Sequence, residues 1–208
     1  MQILRDSVDE ATYDSGMFRT PLFLALACLL LSESTHAQDA IRKPTIFVCG
    51  DSTAKNSGKG KNGDAVAGWG TPFADFFDQT KVEIRNVGHA GTSSRTYYDG
   101  DWPNVLPQIQ AGDFVLLVFG INDGSTPPGL GDETVMQGNR PVHTYGWYMS
   151  RMVTDAREKG AHVYLLTVTT RNIWTNPHTG WDGAVINAER VIEGLRGLGN
   201  NPLASFLK

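Results

Sequence analysis

A three-layer α/β fold, with one parallel sheet between two layers of helices, is the architecture this 208-residue sequence predicts. Three observations carry that expectation: short continuous apolar runs, helical stripes between them, and the regular alternation of the two. Thr45–Cys49 (TIFVC) is an apolar run closed by Gly50, and Phe114–Phe119 (FVLLVF) and Val163–Val168 (VYLLTV) are two more. Runs apolar at every position are expected of parallel strands covered on both faces. Val82, Ile84 and Asn86 alternate with Glu83 and Arg85, which predicts a shorter, half-exposed strand.

The intervening segments have helical periodicity. Phe73, Phe76 and Phe77 follow a glycine-rich stretch, Asn56 to Gly70, that reads as loop. Tyr145, Tyr148, Met149, Met152, Val153 and Ala156 recur at three- and four-residue steps, with Gly160 placed to end the helix. Ala184, Val185, Ala188, Val191, Ile192 and Leu195 form a second stripe behind Asp182 as the expected N-cap. Gly199–Lys208 breaks that pattern without starting a recognisable strand. In a parallel sheet with helical crossovers, functional groups gather at the carboxyl ends of the strands.

The first forty residues differ from the rest. Pro21–Leu31 (PLFLALACLLL) is too short an apolar run to span a bilayer, and it lacks the amphipathic pattern of a buried helix. Arg19 before it and the small residue Ala37 after it complete the parts of a secretory signal peptide, with translation expected to begin at Met17. Lipid attachment at Cys28 fits less well, because Leu29–Leu31 continue the apolar run. The expected organisation is an extension and signal peptide over 1–37 and one domain over 43–208, in a secreted or periplasmic protein. Loss of residues 1–37 removes two basic and five acidic residues, moving the formal charge from −4 to −1. That balance gives no electrostatic reason to expect nucleic acid or an anionic membrane as partner, and no stable membrane association after cleavage. Cys49 would be the one cysteine left, read as a buried small hydrophobe.

Three motifs close the predicted strands: Gly50-Asp51-Ser52-Thr53, Asn86-Val87-Gly88-His89-Ala90-Gly91-Thr92-Ser93-Ser94-Arg95, and Gly120-Ile121-Asn122-Asp123. Singly they read as a helix cap, a glycine turn and an Asn-Asp turn. Together they place a hydroxyl, an unobstructed amide and a carboxamide after successive strands of one sheet. Ester hydrolysis needs a hydroxyl to attack a carbonyl and N–H donors where negative charge develops.

These blocks resemble the SGNH/GDSL hydrolase family, and within it the rhamnogalacturonan acetylesterases. Gly68-Trp69-Gly70 and Ala111-Gly112-Asp113 extend the match, which runs from about Thr45 to Gly180. The resemblance implies Ser52 as nucleophile, with Gly91 and Asn122 in the oxyanion hole, no metal or organic cofactor, and a flavodoxin-like sheet of order 2-1-3-4-5. It also implies an Asp-x-x-His block after the fifth strand, the histidine deprotonating the serine. None of the five histidines here follows an aspartate by three residues. By family spacing that block and the fifth strand fall after Lys208, so the domain is expected to be C-terminally truncated. His89 and His178, in loops after strands, are the other histidines near the motifs; a loop role for one and a solvated role for the other are the plainer readings. The Gly-x-Ser-x-Gly elbow of α/β-hydrolases is absent.

The expected function is therefore carbohydrate O-acetyl ester hydrolysis through an acyl-Ser52 intermediate, with an acetylated polysaccharide or other ester as partner. A lipase- or thioesterase-type acylhydrolase of the same fold is a second expectation. A third is a remnant that binds carbohydrate without turnover, using Trp69, Trp102, Trp147 or Trp174 if they are not core. The esterified position and the oligomeric state stay open at the level of sequence.

Overall fold

Thr45–Gly50 forms β1, and all six of its residues are buried, as a strand apolar at every position requires. The structure, a computed structural model, describes residues 42–55, 67–129, 131, 133–168 and 180–208. Lys43–Lys208 makes up one compact unit. After β1 come α1 (Gly70–Phe73), β2 (Glu83–Asn86), α2 (Ser94–Gly100), α3 (Trp102–Val105) and β3 (Phe114–Val118). They are followed by β4 (Thr134–Gln137), β5 (Arg140–His143), α4 (Tyr145–Glu158), β6 (His162–Leu165) and α5 (Trp181–Gly197).

The main sheet is parallel, with order β2-β1-β3-β6. Ile46 pairs with Phe114 and Val48 with Leu116, so alternate residues of neighbouring strands share a face. Ile46, Val48, Phe114, Leu116 and Val118 meet Trp69, Phe73, Phe77 and, from α5, Ala188, Ile192 and Leu195. Phe47, Cys49, Val115, Leu117 and Phe119 meet Tyr97, Trp102, Val105 and, from α4, Met149, Met152 and Ala156. Two helical layers thus cover one sheet, the predicted three-layer fold. The four described strands occupy the first four places of the expected 2-1-3-4-5 order.

Several details depart from the sequence reading. The expected strand Val163–Val168 is shorter, ending at Leu165, which is 62% exposed; β6 stands at the edge of the described sheet, as expected of that strand when no fifth strand pairs with it. Because β6 is paired on one side only within the described residues, its outer N–H and C=O groups offer a template for another strand. Leu165→Lys is therefore expected to raise the protein concentration at which light scattering detects self-association, with little change in the melting midpoint.

Helix α5 is capped at Gly180, and Asp182 lies in its first turn, where a carboxylate still favours the positive end of the helix dipole. Thr144 caps α4, accepting from the Trp147 N–H at 3.3 Å, and Gly160 follows its end at φ +80°, as anticipated. An antiparallel hairpin, β4–β5, stands outside the main sheet and was not anticipated. Nor was the docking of the tail. Leu203, on a 3₁₀ turn over Pro202–Phe206, is fully buried, and Leu207 bridges to Phe77. Asn201 fixes that return by donating to the Leu195 carbonyl at 2.6 Å and accepting from the Tyr164 hydroxyl at 2.6 Å.

Candidate active site

At the carboxyl end of β1 the chain turns sharply. Asp51, almost wholly buried, accepts from both the N–H and the hydroxyl of Thr53 at 2.8 Å. Its own carbonyl accepts from the amides of Ala54 and Lys55 at 3.2 and 3.0 Å. This short-range bonding is what Asp favours in turns, and it sets Ser52 at the head of the turn. Ser52 is half-buried, and neither its N–H nor its hydroxyl has a hydrogen-bond partner among the described residues.

The turn is braced from outside. The Trp69 N–H donates to the Thr53 carbonyl at 2.9 Å, and the Asn86 carboxamide donates to the Ala54 carbonyl. A Cβ on Gly70 would lie 2.1 Å from Asn86 Nδ2 and 2.4 Å from that carbonyl, so only glycine admits the contact. This accounts for Gly-Trp-Gly following the glycine-rich loop; residues 56–66 of that loop lie outside the described residues.

Beyond β2 the chain continues beside β1. The Val87 N–H donates to the Val48 carbonyl at 3.0 Å, and the His89 N–H to the Gly50 carbonyl at 2.8 Å. Gly91 follows at φ +82°, a conformation that glycine adopts without penalty, and its missing side chain would meet nothing within 4 Å. The Gly91 N–H has no hydrogen-bond partner among the described residues. Ser93 then opens α2 through a reciprocal capping pair with Thr96, at 2.8 and 3.2 Å. The buried Tyr97 hydroxyl donates to the Val87 carbonyl at 2.9 Å and anchors the helix beneath the loop.

After β3, the turn of Gly120–Asp123 is pinned to this same loop. One N–H of the Asn122 carboxamide donates to the Thr92 carbonyl at 3.1 Å, leaving its second N–H for another acceptor. The Asp123 carboxylate accepts from the Ser94 N–H at 3.1 Å and from the Ser94 hydroxyl. Since β1 lies between β2 and β3, the Ser52 turn sits between the turns bearing Gly91 and Asn122. The three predicted site residues therefore occupy neighbouring turns at the carboxyl end of the sheet, bonded in a chain through Gly50–His89, Thr92–Asn122 and Ser94–Asp123.

Not every residue considered from the sequence belongs there. His89 carries its ring outward, with Nδ1 at 2.9 and 3.0 Å from the two oxygens of Asp101, a pairing across twelve residues that no sequence pattern marked. His178 and Trp174 lie outside the described residues. Trp69 and Trp102 are core, Trp102 donating to Asp155 at 3.0 Å, so neither presents a ring to a sugar. Trp147 is half-buried and borders a pocket. No group of three or more His, Cys, Asp or Glu able to hold a metal ion occurs among the described residues.

Cys49 is fully buried, and desolvation pushes its thiol up to about 12. Only the neutral thiol exists there at neutral pH, so it is not a competing nucleophile. A thiol that stays protonated in the fold but ionises near 9 when unfolded holds extra protons in the native state between those values. Stability is thus fully present below about pH 9 and falls as pH rises towards 12. Urea midpoints compared between pH 8 and 10.5 should show this decline, and Cys49→Ala should lessen it.

Comparison with known proteins assigns a family to this sheet and its serine turn. Residues 48–199 match the GDSL-like Lipase/Acylhydrolase family, and the chain belongs to that family. It is 34% identical to a rhamnogalacturonan acetylesterase of Emericella nidulans over 165 residues, covering 73% of this chain and 60% of that protein. It is 29% identical over 133 residues to the rhamnogalacturonan acetylesterase RhgT of Bacillus subtilis, covering 63% of this chain and 52% of the relative. The chain thus spans between half and two thirds of the length of these relatives. Among solved structures, a Bacteroides uniformis protein described as a GDSL-like lipase has the same fold, with a TM-score of 0.50 at 13% identity. That alignment covers 77% of this chain and 99% of the other.

Proposed function

We propose that the chain is a serine esterase that removes acetyl groups from a pectin-type polysaccharide through an acyl-Ser52 intermediate. The observation that carries this reading is the hydrogen-bonded chain of turns around Ser52. It leaves three N–H groups without partners among the described residues: those of Ser52 and Gly91 and the second proton of Asn122 Nδ2. Attack by Ser52 Oγ on the ester carbonyl forms the new C–O bond and moves the carbonyl π electrons onto oxygen. No described histidine is hydrogen-bonded to the Ser52 hydroxyl, so its proton passes to solvent water and returns through water to the departing sugar oxygen. Donors already fixed by the fold stabilise the oxyanion without reorganising at the moment of reaction. Collapse releases the sugar hydroxyl, and water then frees the acetate from Ser52.

The choice of an acetylated polysaccharide is supported by the two acetylesterase relatives. Initial rates of acetate release from acetylated rhamnogalacturonan, set beside hydrolysis of a long-chain p-nitrophenyl ester and an acyl thioester, test it. The reading requires the highest kcat/KM on the polysaccharide; preference for the long acyl chain or the thioester would transfer the protein to a lipase or thioesterase role. Secretion belongs to the same proposal, resting on the leader-like composition of residues 17–37. Among the described residues no helix is long and apolar enough to cross a membrane. A secreted product beginning near Gln38 by mass spectrometry is the outcome expected.

A further inference from the structure

The unanticipated hairpin β4–β5 leans towards α2 and the start of α4, and between them lies a pocket of about 620 Å³. That is room for a sugar unit, within the usual size range of small-molecule sites. Arg95 and Arg140 both line it, one from α2 and one from the hairpin. Neither guanidinium is in an ion pair with a described residue; Arg95 instead donates to the Gln137 side chain at 2.8 Å. Among the described residues of the lining, Asp99 is the sole carboxylate, against these two cations. The third wall is aromatic: His143 stacks on Trp147 with centroids 3.8 Å apart, and the Tyr148 hydroxyl accepts from the His143 N–H at 3.3 Å.

The pocket is joined to the candidate active site through Gln137. While its carbonyl oxygen holds Arg95, its amide donates to the carbonyl of Ser125, in the turn that begins at Asn122. Arg95 follows Ser94, the residue bonded to Asp123. A ligand held here would lie beside the proposed oxyanion donors without having to be the group that reacts.

We propose that this pocket binds a carboxylate-bearing sugar ring, a uronate neighbouring the acetylated unit of the same chain. The inference rests on the polysaccharide esterase reading and adds a second contact point to it. Two guanidinium groups suit a planar carboxylate, which each can hold by paired hydrogen bonds. The aromatic wall suits the apolar C–H surface of a pyranose ring, and Asp99 can accept from ring hydroxyls. An inorganic anion would satisfy the arginines and leave the aromatic wall without a partner.

Binding measured on Ser52→Ala separates this from catalysis. Trigalacturonate should bind to Ser52→Ala, weaken as salt is raised, and bind at least about tenfold more tightly than neutral galactotriose. Adding Arg140→Gln should weaken trigalacturonate binding at least about tenfold. Arg157→Gln, about 15 Å along α4 from Trp147, serves as the control and should leave it unchanged. Arg95→Gln gives a second reading from α2, so that misfolding of one variant does not decide the outcome. Equal affinity for the acidic and neutral trisaccharides would overturn the proposal, as would binding indifferent to both arginine substitutions. Failure of Ser52→Ala to bind trigalacturonate, while the wild type still releases acetate, would remove the pocket and leave the esterase reading standing. Arginine-dependent binding in a protein without esterase activity would retain the pocket and remove that reading.

Discussion

Ser52→Ala should lower kcat/KM for acetyl-ester hydrolysis by at least about 10³-fold; a serine hydrolase with a complete triad loses about 10⁶ in kcat with its nucleophile. The fold should survive the change. The Ser52 hydroxyl bonds to no described residue, and the turn is held instead by Asp51, Thr53 and the Asn86 side chain. Near-UV circular dichroism and the melting midpoint should therefore match wild type while turnover collapses. A parallel loss of structure and activity would mean that Ser52 serves the turn and not the chemistry. Hydrolysis of p-nitrophenyl acetate at matched concentrations supplies the rate.

Asn122→Ala should cost about 10²–10³ in kcat, the usual price of one oxyanion donor. Two effects contribute, and they can be separated. The substitution removes the N–H left for the developing negative charge, and it also frees the Thr92 carbonyl that the side chain now holds at 3.1 Å. Asn122→Asp removes both donors and adds an acceptor, so on the oxyanion reading it should be at least as damaging as Ala. The loss should appear in kcat more than in KM, because the interaction forms only as charge builds on the oxygen. A rise in KM with kcat unchanged would make Asn122 a substrate-binding residue.

The sheet was readable because its central strands are apolar at every position. Thr45–Gly50 and Phe114–Val118 are buried from end to end, and burial on both faces leaves little choice of residue. Helices α4 and α5 were readable for the opposite reason: each buries one stripe, so periodicity marks it. The hairpin left no such trace. Thr134, Val135, Met136, Arg140 and Pro141 are all exposed, so neither face imposes an alternation, and Gly138 at φ +60° was its only local mark. The tail was missed because its packing is tertiary: Leu203 is buried against residues far along the chain, through a return that Asn201 fixes.

The site divides in the same way. Ser52, Gly91 and Asn122 stood out because each sits in a short motif closing a strand, where polar and glycine residues interrupt an apolar pattern. The bonds that assemble them were invisible. Thr92–Asn122 and Ser94–Asp123 join residues about thirty positions apart, and His89–Asp101 pairs side chains twelve positions apart, one before α2 and one after it. Sequence spacing carries no record of such contacts. The pocket of Arg95 and Arg140 was hidden for the same reason, since half of it stands on the hairpin.

Covalent trapping addresses the central claim most directly. The chain is mixed with an excess of an acetyl ester, quenched in acid within the first turnovers, digested and mapped by mass spectrometry. An acetyl group should appear on the peptide containing Ser52 in the wild type and be missing from Ser52→Ala. Acetyl ester turnover with no acylated Ser52 at any quench time, or turnover equal in the two proteins, would contradict the acyl-serine route.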